Sequence, residues 1–284
     1  MTRIGAIIAA AAVLTTGNAR AETLPLWEAG AGLAVAYLPD YRGSEEARAY
    51  LLPFPYFIYR GDFLKADREG VRARFFDSER VELDLSFGAT VPVRSNKNRA
   101  RAGMPDLRPT LEVGPVLKIF LIRDVKRDNP APAGFRPGEL ELRLPVRRAL
   151  TWQDGGVKDA GTLFFPHVNL DRKFDWAGRR FNLGTLAGVQ FGDRRYHDYF
   201  YGVAPANATA ERPAYSASGG YAGWQAIAAL SATAGRIWVG GFVKLDSVRG
   251  AVFDDSPLVR RNTNFSAGIG ASYVFARSSQ QVSE

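Results

Sequence analysis

The stretch FSAGIGASYVF (residues 265–275) decides the fold class. Phe265, Ala267, Ile269, Ala271, Tyr273 and Phe275 share one side of an extended chain, and Ser266, Gly268, Gly270 and Ser272 share the other. Alternation of period two is the mark of a strand, because successive side chains point to opposite faces. The second face is small and polar, which suits a polar interior behind an apolar exterior. That is the inside-out pattern of a membrane β-barrel. A lipocalin-like soluble barrel reverses the faces and alternates equally, so length and number of strands must separate the two.

The pattern recurs along the chain. Val81, Leu83, Leu85, Phe87 and Ala89 alternate with Glu82, Asp84, Ser86, Gly88 and Thr90. Leu140, Leu142, Leu144 and Val146 alternate with Glu139, Glu141, Arg143 and Arg147 near Pro145. Phe181, Leu183, Ala187, Val189 and Phe191 alternate with Asn182, Gly184, Gly188, Gln190 and Gly192. Such segments exceed the ordinary soluble strand of about 5 or 6 residues and match a tilted bilayer crossing.

The expectation is an all-β, transmembrane, antiparallel up-and-down β-barrel of about twelve strands, with ten as the alternative. The candidates lie near 28–38, 50–60, 62–67, 70–76, 80–91, 109–120, 138–149, 162–174, 180–192, 217–231, 236–248 and 263–275. If the first runs outward, the outer connections are 39–49, 68–69, 92–108, 150–161, 193–216 and 249–262. The inner ones fall near 61, 77–79, 121–137, 175–179 and 232–235. Long loops fall mostly outside, as the class requires. The short 68–69 and the long 121–137 are exceptions.

The first 21 residues differ from the rest: Arg3, then an apolar run from Ile4 to Leu14, then Ala19-Arg20-Ala21. This is the arrangement of a cleaved export signal, giving domains of 1–21 (signal), 22–275 (barrel) and 276–284 (polar tail). The expected location is the bacterial outer membrane. With no cysteine, disulfides and lipoprotein anchoring are excluded. Mean hydropathy is −0.16, and no mature stretch reaches the length of an apolar spanning helix. The formal charge is +8, but the basic residues are dispersed and carry no nucleic-acid motif. A lipid or lipopolysaccharide surface is the better electrostatic partner.

LPFPYFIYRGDFLKAD (residues 51–66) combines Phe54, Tyr56, Phe57, Tyr59 and Phe63 with Pro53 and Pro55. The rings suit a girdle at the inner bilayer boundary. Arg60-Gly61-Asp62 reads as a hairpin tip. The prolines call for a bulge or an irregular strand.

Chemistry is sparse. The two histidines, His167 and His197, stand in no metal-ligand spacing, and neither catalytic residues nor a cofactor site are expected. His167 alternates onto the face of Asn169 and Asp171, which reads as the lumen. GDRRYHDYFYGV holds Arg194, Arg195, Tyr196, His197, Asp198, Tyr199 and Tyr201. They could bind a carboxylate, phosphate or sugar, or fold into the mouth as a constriction. Candidate lumen charges are Glu82, Asp84, Glu139, Glu141, Arg143, Arg147, Lys244 and Asp246, joined by Glu112, Lys118, Asp171 and Lys173. They can fill a narrow interior with cross-lumen ion pairs or line a wider one. Loops 39–49 (Asp40, Arg42, Glu45, Glu46, Arg48) and 249–262 (Asp254, Asp255, Arg260, Arg261) read either as lipopolysaccharide or partner contacts or as solvated faces.

YLPDYRGSEE with LLPFPYFIYRGDFLKADREGVRARFF, then YFYGVAPANA with SGGYAGWQ, then FDDSPLVRRNTNFSAGIGASYVF, resemble in order the signatures of the MipA/OmpV family of outer-membrane proteins. The resemblance implies an outer-membrane barrel. It also implies a scaffold between a murein lytic transglycosylase and a bifunctional penicillin-binding protein. The segment 121–137 is basic and proline-rich, so it is expected as an exposed, semi-rigid partner-facing surface. The alternative is a narrow porin-like channel with 193–216 as its constriction. A monomer without enzymatic activity is expected under either.

Overall fold

The computed structural model describes residues 23–60, 64–67, 70–73, 76–77, 80–122 and 138–283. The expected signal, the hairpin tip at 61–63 and residues 123–137 of the partner-facing segment lie outside the described residues. In chain order the elements are β1 (Thr23–Pro25), β2 (Trp27–Pro39), β3 (Ala47–Arg60), β4 (Leu64–Asp67), β5 (Gly70–Ala73), β6 (Phe76–Asp77), β7 (Val81–Ala89) and β8 (Thr110–Ile122). They continue with β9 (Glu139–Gln153), β10 (Gly156–Phe164), β11 (His167–Trp176), β12 (Arg179–Gly192), α1 (Arg194–Tyr201), β13 (Gly220–Ala234), β14 (Ile237–Ser247), β15 (Thr263–Arg277) and β16 (Gln281–Ser283).

Among the described residues fourteen strands join one sheet in the order β5-β4-β3-β2-β15-β14-β13-β12-β10-β9-β8-β7-β6, with β11 beside β12 and β9. Every pairing is antiparallel. The alternation therefore led to the right class. β2 pairs with β15, so the first and last long strands are neighbours. β5 also lies beside β7, near the opposite ends of the hydrogen-bonded order.

The fourteen segments fall on the expected strand ranges, two of which are each divided in two. The expected 70–76 strand is recorded as β5 and β6. The expected outer loop 150–161 is instead the tip of a hairpin. β9 runs to Gln153, and Asp154 (φ 53°) and Gly155 (φ 76°) turn the chain directly into β10. A two-residue turn with both φ positive matches the twist of the strands it joins. β10 and β11 are one strand in register: Phe164 faces Val146 and Phe191, and His167 faces Arg143 and Gly188. Pro166, which has no N–H to give, marks the interruption.

The bulge expected at Pro53 and Pro55 is absent. Pro53 faces Leu33 and Pro55 faces Ala31 in an unbroken ladder with β2. Among the described residues β4 meets β3 only at Tyr59 and Arg60. The far edge of β3 therefore demands no N–H at the prolines, and an edge position tolerates them. The expected aromatic girdle is only partly present. Phe57 is exposed, but Tyr56 is buried on the other face, where Phe54 and Tyr56 pack on Trp238 at 6.2 and 6.3 Å. Phe63 lies outside the described residues. In the expected polar tail, β16 pairs with β1, Thr23 facing Ser283.

The two faces of the sheet have opposite chemistry. Leu33, Val35, Leu51, Val243 and Ile269 are exposed on one, while Glu82, Asp84, Glu112, Lys118, Glu141 and Asp246 are buried on the other. The larger apolar core lies mostly outside the strands, among the connections after β2, β7, β12 and β14.

Candidate functional site

Those four connections fold into a cap over one end of the covered face. Its core holds Tyr41, Val93, Leu107, Phe200, Tyr201, Val203, Val248, Phe253 and Leu258. Phe253 and Leu258 are 0% exposed. The residues come from separate loops, so no single stretch carries a helical or strand period that would announce them.

α1 anchors the cap to the wall. Asp193 accepts from the Tyr196 amide at 2.7 Å, capping the helix, and from the Thr162 amide at 2.9 Å, tying it to β10. An N-cap carboxylate satisfies a free helical N–H. The helix start lies so close that a Cβ on Gly161 (φ 105°) would sit 2.2 Å from the Tyr196 nitrogen. The segment expected as a loop is thus an α-helix with two differently used sides.

That division disperses the seven candidate residues. Arg194 reaches Ser216 Oγ at 2.7 Å and Asp198 at 3.4 Å, while Arg195 turns to Asp159. The two guanidinium groups do not converge on one anion site. Asp198 accepts from the Ala217 amide at 2.6 Å. Tyr196 points inward and donates to Glu112 Oε1 at 2.8 Å. Tyr199 donates to the Arg108 carbonyl at 2.7 Å. Tyr201 stacks on Phe253 at 3.7 Å and donates to the Arg42 carbonyl at 3.0 Å. Burial pushes the hydroxyls of Tyr196 and Tyr201 well above the usual tyrosine range.

His197 is fully buried. Its Nδ1 lies 2.6 Å from the Ser218 carbonyl, which can only accept, so Nδ1 carries the proton. Nε2 faces Gly192 without a hydrogen-bond partner among the described residues. Burial lowers its pKa, against the Ser218 contact, and nearby Arg42 lowers it further.

Other staples escaped the reading of the chain. Arg42, expected in an exposed loop, reaches Asp246 and Gln190 on the covered face and the Ser247 carbonyl at 3.3 Å. Asp40, from the same loop, is buried and accepts from Asn98 at 2.8 Å and Arg48 at 2.9 Å. Arg212 donates to the carbonyls of Ala100, Ala102 and Asn207, joining two loops through one fork. Arg101 donates to the Phe200 and Pro105 carbonyls. Burial draws its pKa down from the usual arginine value. By contrast Glu45, Asp254, Asp255, Arg260 and Arg261 are exposed.

Most of the expected lumen charges lie on the covered face beneath the cap, largely in ion pairs, while Lys173 is exposed. Lys118 stands 2.5 Å from Asp84 and 3.5 Å from Glu82, Arg143 2.8 Å from Glu141 and 3.9 Å from Asp171, and Lys244 2.7 Å from Asp246. Arg147 lies 3.6 Å from Glu112 and donates to Ser86 at 2.8 Å. Glu139 pairs in register with Asp171 on the same face. Buried charges need such partners, because an unpaired one is costly. His167 stacks on Phe165 at 4.5 Å, with Nδ1 2.7 Å from the Phe165 carbonyl. Among the described residues no cluster of metal-ligand type occurs.

No curated protein matches the chain. The family model described as MltA-interacting protein MipA matches residues 31–275, from within β2 to within β15 and across the whole cap. The chain belongs to the MltA-interacting protein MipA family.

Proposed function

We propose that the chain is an exported outer-membrane β-barrel, closed at its outer end, that works through protein contacts at its periplasmic face. Its partner in this reading is a murein lytic transglycosylase, as the family description suggests. A bifunctional penicillin-binding protein is the further partner implied by the resemblance. The barrel is monomeric, non-catalytic and seated in phospholipid and lipopolysaccharide. Three features support a barrel: apolar side chains on the open face, polar ones on the covered face, and the approach of β5 to β7. A closed ring leaves no edge for the bilayer to solvate, which a spanning sheet requires.

The cap carries the choice between scaffold and channel. A core with residues at 0% exposure, assembled from four connections, is packed like a protein interior. Such a cap favours a closed barrel over the narrow channel. Lytic transglycosylase passed over the immobilised mature protein should be retained and should elute with excess free protein. Passage without retention would overturn the scaffold reading.

A further inference from the structure

We propose that the exposed face of β12–β15 binds one phospholipid, with an acyl chain in a groove and the phosphodiester at Arg179. The inference rests on the membrane-barrel reading. A cavity of about 1150 Å³ lies on this face, its walls almost wholly apolar. Strand register explains why it exists. Leu183 faces Leu230, Leu230 faces Gly241, Gly241 faces Ile269, and Ile269 faces Val35. Gly241 is the gap in that row of large side chains. On adjoining rows Ala228 and Ala267 flank Val243, and Ala232 and Ala271 flank Val239. Small residues on three neighbouring strands thus leave a dent in the apolar belt. An empty dent forfeits the dispersion contacts of its lining, and a hydrocarbon chain restores them.

The charge at one end selects the ligand. Arg179 lines the groove and is exposed, with no ion pair or hydrogen bond among the described residues. Its neighbour Arg180 is paired with Asp175 at 3.5 Å. Trp176, 68% exposed, faces Arg179 in the β11–β12 register. Indole and guanidinium together mark the headgroup level of a bilayer. From Ile237 to Val243 the groove follows β14 for about 20 Å at roughly 3.3 Å per residue. With strands tilted by about 40°, this spans roughly 15 Å of depth, one leaflet of a hydrocarbon core about 30 Å thick. An unpaired cation at the headgroup level and an apolar channel one leaflet deep fit a phospholipid of the inner leaflet.

The test is native mass spectrometry of the mature full chain in detergent with phosphatidylglycerol. One lipid should stay bound. Arg179→Gln should weaken retention about fivefold. The double substitution Ala228→Leu with Ala232→Leu, which fills the groove from outside, should abolish it. Equal retention by all three proteins, or a second copy of the chain in place of lipid, would overturn the site. Insertion into liposomes, read by protease protection, separates this from the underlying reading. An inserted wild-type protein that retains no lipid refutes the groove alone. A protein that fails to insert refutes the barrel and the groove together.

Discussion

The Arg42 guanidinium, in the loop after β2, donates to the Asp246 carboxylate on β14, 204 residues away along the chain. The Asp246 side chain is 3% exposed and also meets Lys244 at 2.7 Å. The same guanidinium holds Gln190 and the Ser247 carbonyl. One side chain thus ties the cap to two strands of the wall. Arg42→Ala leaves the buried carboxylate short of a partner, and should cost about 3 kcal/mol. Limited proteolysis should then cut the connections after β2 and β14 while the strands stay protected. A cleavage pattern like that of wild type would show that the cap does not depend on this tie.

If the proposed barrel reading holds, the cap should make the protein electrically silent. Mature protein in a planar bilayer is expected to show no discrete conductance steps. Removal of α1 with its following loop takes away Phe200, Tyr201 and Val203 from the core. The shortened protein should conduct in discrete steps. Steps from the intact protein would revive the channel reading.

His197 gives the cap a predictable response to acid. Burial holds its pKa below the ordinary 6.5, with Arg42 adding to the effect and Asp193 and Asp198 opposing it. The unfolded chain therefore binds more protons below pH 6.5 than the folded one. The His197 contribution is complete above that pH and is lost as pH falls toward the folded-state pKa. Cap stability, followed by proteolysis between pH 7 and pH 5, should decline in wild type. In His197→Gln this part of the decline should disappear.

Gly161 sets the position of α1. At φ 105° it occupies a region that L side chains avoid, and an added Cβ would meet backbone at 2.2 Å. Gly161→Ala should cost about 2 kcal/mol or more, seen as a lower midpoint for cap proteolysis. Gly155→Ala, also at positive φ but with nothing within 4 Å, serves as the control. It should cost about 1 kcal/mol without exposing the cap.

The β class was legible because alternation is local: the face of Ile269 follows from its own neighbours in FSAGIGASYVF. The expected strand 162–174 already joined the end of β10 to β11, but its start at Gly156 was hidden because Asp154-Gly155 was read as part of a loop rather than as a two-residue turn. The girdle was misread because parity, not composition, sends Tyr56 inward and Phe57 outward.

By itself the sequence determined the extended strands and which side chains share a face, since period two needs no distant contact. It also held the family signatures that span the chain. Only the tertiary structure decided the cap, the partners of Arg42 and Arg212, and the burial of His197. Those depend on loops far apart in the chain meeting at one end of the sheet. No local periodicity encodes that meeting, because each loop supplies only one to a few of the buried side chains.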